Sequence, residues 1–370
     1  MRVALIHDWL VGMRGGEKCL EAACEVFPDA DLFTLVHRKG TVSPAIERRR
    51  ITTSFLQRIP GIHRTYRYYL PLFPMAVERF DLSGYDLVLS LSHAAAKGAI
   101  ADPGAAHACY CFSPMRYVWD LYGDYFRRRR RAGELVIAAF ASYLRMWDVA
   151  ATARIDRFAA ISRHVQRRIR RYYGRDSTVI HPPVEDVYFE SPLATGPGEY
   201  FLVVSALAPY KRLEIAIEAA RRTREPLWIV GDGPEGRRLR AAAPANVRFL
   251  GWQPAEKLPE LYRRARALVF SGIEDFGLAP LECQAMGRPV IGYAAGGLLE
   301  TVRPVGGSGD STGVLYGEPT VEGLLAGIDD FRRHETTFEP AWLRAHASAF
   351  RRGRFLEELG AFAQPEARSC

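Results

Sequence analysis

Between residues 200 and 292 the chain sets short apolar runs and amphipathic helical patterns in strict alternation. Tyr200–Ser205, Pro226–Val230, Val247–Leu250, Ala267–Phe270 and Pro289–Gly292 read as strands. Arg212–Thr223, Glu235–Ala242, Pro259–Arg266 and Leu278–Met286 read as the helices between them. Parallel strands need a long crossover, normally a helix, so this alternation predicts a doubly wound parallel sheet. The N-terminal half repeats the theme. Arg2–His7 is a strand, Gly12 and Gly15-Gly16 bring in a loop, and a helix runs over Glu17–Val26. Further strands are expected at Leu32–Val36, Leu87–Leu91, Ala108–Phe112, Arg157–Ile161 and Thr178–Ile180, with residues 126–175 mostly helical and Ser162 capping the helix from His164. His181-Pro182-Pro183 stops regular structure, and Ser191–Gly198 is rich in Pro, Gly and small residues. The fold class is therefore α/β: two doubly wound, Rossmann-like parallel-sheet domains, expected to face a cleft. We place them at residues 1–185 and 186–345, with 346–370 a C-terminal helix returning to the N-terminal domain. Ligands of such sheets bind beyond the carboxyl ends of the strands, so the loops after the strands are where chemistry is expected.

The 370 residues suit two domains, and 48% apolar with 25% charged residues excludes wholesale disorder. The six cysteines, Cys19, Cys24, Cys109, Cys111, Cys283 and Cys370, form no CxxC and read as reduced thiols of the cytosol. No targeting segment is recognised, and no 18 apolar residues run uninterrupted. Leu135–Trp147 carries Arg145 and is too short to span a bilayer. A cytoplasmic protein is expected, peripheral at most at the inner face of the cytoplasmic membrane. Residues 1–190 hold 28 Lys and Arg against 20 Asp and Glu, while the remainder is balanced, so the whole net charge of +8 lies in the first half. An anionic partner or plain solubility accounts for it. No nucleic-acid-reading motif accompanies the charge, so no nucleic-acid partner is expected. Phe55–Phe80 mixes Tyr66, Tyr68, Tyr69 and Phe73 with Arg64, Arg67 and Arg79. It fits an anionic membrane surface, joined by Arg127–Arg131, or a helix packing on its own domain.

Three segments carry candidate chemistry. Ser271–Glu282 follows a strand and opens a helix, with Gly277 and Leu278 at the helix entry, where amides and dipole favour a diphosphate. Glu282, in the first turns, suits a ribose diol, and Glu274 on the loop suits a sugar; both also suit helix capping. Lys211, with Arg212 beside it, stands at a helix N-terminus, where a cation is unfavourable unless an anion binds, or is a surface lysine. Gly231, in Val230-Gly-Asp-Gly-Pro234, allows close approach of a base or ribose, or makes an ordinary turn. His37, His63, His107, His164, His181, His334 and His346 are expected to be structural.

Together and in this order, YFLVVSALAPYKRLEIAIEA, LWIVGDGPEGRRLR, NVRFLGW, EDFGLAPLECQAMGRPVIGYAAGGLLETV and FAAISRHVQRRIRRYYGRDSTVIHPPV resemble the retaining family 4 glycosyltransferases of GT-B fold. The N-terminal HDWLVGMRGGEK and CYCFSPMRYVWDLY are similar to a bacterial subgroup of mannosyltransferases that build O-antigen and exopolysaccharide. The resemblance implies a metal-independent retaining hexosyltransferase. Its donor would be a nucleotide-diphospho-sugar, GDP-mannose among the candidates, and its acceptor a glycan, free or lipid-linked. No cofactor and no metal are implied. Lys211 would hold the diphosphate with Arg212, Gly231, Gly277 and Leu278 around it, Glu282 the ribose and Glu274 the donor sugar. Gly15 and Gly16 would abut the diphosphate from the other domain. Phe112, Ser113, Arg116 and His93 would line the acceptor side. Two departures stand out. Ala206 replaces the arginine that shares the diphosphate, and Phe112 the histidine near the donor sugar. Arg116, Arg212 or His93 could compensate; otherwise the chain is a non-catalytic GT-B partner of an active transferase, binding sugar nucleotide or glycan.

Overall fold

A computed structural model describes residues 1–120, 122–123, 131–306 and 310–364, with only the backbone over 131–134. The chain divides into two compact units. One holds residues 1–182 and the segment from Gly353 onward; the other holds 183–352. The first crossing thus falls between Pro182 and Pro183, at the double proline.

The first unit contains β1 (Val3–His7), β2 (Asp31–Thr34), β3 (Ile51–Thr53), β4 (Leu87–Ser92), β5 (Ala106–Cys111), β6 (Arg157–Ala160) and β7 (Thr178–Val179). They pair in the order β3-β2-β1-β4-β5-β6-β7, every pair parallel. β1 and β4 are buried along their whole length, which is why VALIH and LVLSLS lack the alternation of a half-exposed strand. The second unit contains β8 (Tyr200–Val204), β9 (Leu227–Val230), β10 (Val247–Gly251), β11 (Ala265–Phe270), β12 (Val290–Tyr293) and β13 (Gly313–Tyr316), ordered β10-β9-β8-β11-β12-β13 and again parallel. Its core joins strand residues Phe201, Val203 and Ile229 to helix residues Leu213, Ile217 and Phe331. In each sheet the strand order reverses once, between β1 and β4 and between β8 and β11. These are the two places where adjacent loops part and leave room for a ligand.

The expected strands lie within two residues of the observed ones; β3 and β13 are additional. Over the described part of residues 126–175 the chain runs as expected: helix Arg131–Ala151, then β6, then helix Arg163–Tyr173. Ser162 Oγ caps the latter by accepting from the Val165 N–H at 3.0 Å. Most of the run Arg127–Arg131, and Cys370, lie outside the described residues. Cys19, Cys24, Cys109, Cys111 and Cys283 are buried thiols without a disulfide.

Leu135–Arg154 is, among the described residues, long and apolar enough to cross a membrane, contrary to the shorter span expected from sequence. Its polar bonds run inward. Asp148 is fully buried, with Lys97 Nζ 2.5 Å from one oxygen. The other oxygen accepts from Trp119 Nε1 at 2.8 Å and from the Tyr173 hydroxyl at 2.7 Å. A buried carboxylate satisfied this way fixes the helix as one wall of the first unit. The last helix, Arg352–Ala363, also packs on this unit. Phe355 meets Tyr110 edge-on at 5.5 Å, and Arg354 donates to the His181 carbonyl at 2.7 Å.

Candidate functional site

In the second unit the strand reversal lies between β8 and β11. After β8 the chain passes through Ser205–Ala208, makes a tight turn at Pro209–Lys211, and enters helix Leu213–Thr223. Arg212, between turn and helix, has φ 51°, a left-handed conformation that costs a residue with a Cβ about 1–2 kcal/mol. After β11 the chain runs through Ser271–Phe276 to Gly277, on which helix Leu278–Ala285 starts without a side-chain cap. The two loops are bonded together. Ser271 Oγ donates toward the carbonyls of Lys211 (3.2 Å) and Arg212 (3.1 Å), and a Cβ on Gly272 would lie 2.9 Å from the Lys211 Cα. Lys211 Nζ forms an ion pair with Glu274 Oε1, both side chains largely buried. A third loop holds Glu274 from behind, because the Gly297 N–H donates to the Glu274 carbonyl at 2.8 Å. Gly277, Leu278 and Ala279 stay partly exposed at the helix start, so their amides offer a positive helix end beside the ion pair.

Two expectations change here. Gly231 (φ 126°) does not open space for a ligand: a Cβ there would collide with the Ser205 carbonyl. The glycine is required by the neighbouring loop. Glu282 lies inside helix Leu278–Ala285, is only 7% exposed, and has one oxygen taken by the Tyr262 hydroxyl at 2.8 Å. Burial, followed by the Glu282 charge, pushes the Tyr262 phenol well above 10, so Tyr262 stays a donor. Tyr188 packs against Tyr262 with ring centroids 5.9 Å apart. Nothing in the motif spacing signals this tyrosine pair.

In the first unit the reversal lies between β1 and β4. Asp8, directly after β1, is fully buried and accepts four backbone N–H bonds from the loop after β4. His93 and Ala94 donate to Oδ2 at 2.7 and 3.0 Å, Ala95 and Ala96 to Oδ1 at 2.6 and 2.8 Å. His93 Nδ1 lies 3.0 Å from the same carboxylate, and the ring is partly exposed. Burial alone would raise the Asp8 pKa; the charge and hydrogen bonds of His93 outweigh it and hold Asp8 below the usual carboxylate range. Asp8 was not foreseen as a site residue, although a carboxylate ending a buried strand is the signal for one.

Phe112, just after β5, packs its ring 6.2 Å from His93 and 6.1 Å from His7. Gly15 and Gly16 are the first turn of helix Gly15–Val26, not a loop before it. A Cβ on Gly16 would touch His7 at 3.4 Å and Phe112 at 3.6 Å. Glu17 in that turn accepts from the Arg14 N–H at 3.0 Å. His7 is buried, with no hydrogen-bond partner on either ring nitrogen among the described residues. Ser113 is fully buried and spent internally: its hydroxyl donates to the Pro114 carbonyl at 2.8 Å and accepts from Arg168 at 3.1 Å. Arg116 is half-buried nearby in sequence. The structure therefore brings His93, Phe112 and Gly16 together, and separately Lys211, Arg212 and Glu274. Among the described residues no group of three His, Cys, Asp or Glu could hold a metal ion.

Residues 185–339 match the family described as glycosyl transferases group 1. D-inositol 3-phosphate glycosyltransferase of Nocardia farcinica is 32% identical over 182 residues, 41% of this chain and 40% of that protein. GDP-mannose-dependent alpha-mannosyltransferase of Corynebacterium glutamicum is 31% identical over 171 residues, 46% of this chain and 41% of the relative. The chain thus aligns with about two fifths of the length of these curated relatives. The solved structure of Anabaena Alr3699/HepE in complex with UDP superposes with a TM-score of 0.68 at 17% identity, covering 98% of this chain and 99% of that one. The fold is that of the GT-B proteins, two Rossmann-like domains.

Proposed function

We propose that the protein is a retaining, metal-independent hexosyltransferase, taking a sugar from a nucleoside diphosphate sugar and passing it to a glycan hydroxyl. The observation that carries this reading is the Lys211–Glu274 pair at the β8/β11 reversal, beside an uncapped helix start. An unliganded ammonium needs a counter-charge, and Glu274 supplies it. A diphosphate entering the site competes for Lys211 and frees Glu274 to accept hydrogen bonds from sugar hydroxyls. As the C1–O bond to the diphosphate breaks, negative charge grows on the leaving oxygen. Lys211, Arg212 and the Leu278 and Ala279 amides stabilise it without a divalent ion. The acceptor oxygen bonds to C1 on the same face, and its proton passes to the departing phosphate oxygen. Arg212 supports the assignment, since a strained backbone held by a residue other than glycine points to a use for its side chain. It stands where it can replace the cation missing at Ala206. In the first unit, the His93–Asp8 pair offers a polar group beside Phe112, where the resemblance expects a histidine.

The relatives are named for mannosyl and inositol phosphate chemistry, and one structural neighbour holds UDP. We accordingly put GDP-mannose first among donors, with a lipid-linked glycan acceptor at the inner face of the cytoplasmic membrane. The test is release of nucleoside diphosphate from a panel of GDP-, UDP- and ADP-sugars. One donor is expected to turn over. Lys211→Ala and Arg212→Gly should each weaken nucleoside diphosphate binding about tenfold, in line with a charge-assisted hydrogen bond. Glu274→Ala should keep that binding and lose transfer. Turnover at the parent rate in Glu274→Ala would refute its role. The exposed Ala206 favours a second reading, a non-catalytic GT-B partner of an active transferase; binding of a donor without turnover would establish it.

A further inference from the structure

Helix Arg131–Ala151 is amphipathic in the wrong sense for a core helix. The charged side chains described on it, Arg145 and Asp148, turn inward: Arg145 Nε donates to the Val118 carbonyl at 2.6 Å, and Asp148 is fully buried against Lys97. Ala141 and Leu144 join Met115 and Val118 in a small core. The opposite face presents Leu135 (80% exposed), Val136, Phe140, Tyr143 and Met146 (68% exposed) to solvent. Leu135 and Val136 are adjacent and the others follow at steps of four, three and three residues, so they form one stripe along the helix. A continuous exposed apolar stripe marks a surface that meets something.

The neighbouring element extends the surface. Leu70 packs on the same small core, and Trp147 Nε1 donates to Glu78 at 2.8 Å, which joins the helix to the stretch Tyr66–Glu78. That stretch exposes Tyr68 and Met75 alongside Arg64 and Arg67. The positive charge described beside the apolar stripe is that of the exposed Arg64 and Arg67, and the described part of the helix's exposed face carries no charge of either sign.

We propose that this face of the first unit docks into the interface of an anionic lipid bilayer, with the helix lying in the membrane plane. Apolar side chains partition among the acyl chains while arginines meet the headgroups. Spanning is excluded, because it would drag the Asp148–Lys97 pair out of the folded unit. A second copy of the chain suits the surface less well, since an isologous contact would set the arginine-bearing border of one copy against that of the other.

The experiment is co-sedimentation of the whole chain with phosphatidylcholine vesicles and with phosphatidylcholine–phosphatidylglycerol vesicles. Binding is expected to the anionic vesicles only, and should weaken steeply as salt rises from about 0.1 M to about 1 M, where the Debye length falls from about 10 to about 3 Å. The triple variant Leu135→Ser/Phe140→Ser/Met146→Ser should lower partitioning at least about tenfold, from lost apolar burial. Arg64→Gln/Arg67→Gln, which leaves the stripe intact, should lower it several-fold. Parent-like partitioning by both variants overturns the proposal. So does a parent that stays in the supernatant with either vesicle, or one that self-associates and becomes monomeric on the triple substitution. No donor is needed, so failure here is separate from failure of the transfer reaction, which is read by soluble nucleotide binding.

Discussion

His107, on β5, was expected to be structural, and its surroundings show what that entails. The ring is buried, with Nε2 3.0 Å from Ser90 Oγ, and the backbone N–H donates to Asp156 at 2.7 Å. Burial is the main influence and takes its pKa from 6.5 down to about 4. The sign follows directly. Above pH 6.5 the imidazole is neutral in both folded and unfolded chains and costs nothing. Below it the unfolded chain takes the proton first, so stability falls with pH until the folded form also protonates near 4. The whole fall is worth about 3 kcal/mol. Denaturant unfolding at pH 7 and pH 4.5 should show it, with the slope reduced by one proton in His107→Asn; an unchanged slope would assign the acid lability elsewhere. Asp8, held below the usual range, adds a further loss at still lower pH as its carboxylate is protonated. Residue type told how much of this in advance? Lys211 and Glu274 were legible as candidate site residues from their places after strands. Their pairing was not, because it needs the β8 and β11 loops side by side. A glutamate inside a helix reads the same whether it faces solvent or core. It takes Tyr262, from another helix, to show that Glu282 turns inward.

At the scale of elements, the strand–loop–helix alternation was readable because buried parallel strands are continuous apolar runs. The two additional strands lack that signal. β3 is three residues long and nowhere buried, and β13 follows a glycine-rich stretch. The helix from Arg131 was read as an ordinary one, since composition cannot show which face is covered. The loops beyond the second sheet form one interlocked unit, and this gives a prediction. Gly231→Ala must push its Cβ into the Ser205 carbonyl and also holds alanine at φ 126°. It should cost about 2–4 kcal/mol and displace the Ser205–Arg212 loop, so nucleotide affinity falls with stability. Gly317→Ala is the control: a Cβ there meets nothing within 4 Å. Thermal melts together with nucleotide titration would read both variants. A Gly231→Ala protein that melts and binds like the parent would show that the loops are not coupled.

For the molecule as a whole, the division of labour follows the division of the chain. The second unit, residues 183–352, holds the cation–carboxylate pair proposed for a nucleotide sugar, while the first, which carries the excess of positive charge, holds the inverted helix and the Asp8–His93 loop. That the first unit is built from segments on either side of the second has a consequence in time. Ribosomal synthesis delivers residues 1–182 before the second unit, yet Tyr110 and the His181 carbonyl await Phe355 and Arg354, which are made only after it. The second unit, continuous in sequence, can therefore be finished before the first. A chain ended after Arg352 should keep nucleotide binding while its N-terminal unit becomes the easier target for protease; equal resistance to digestion in both units would show the last helix to be dispensable. The order in which the two units can be completed during synthesis is thus the reverse of the order in which their sheets are encoded.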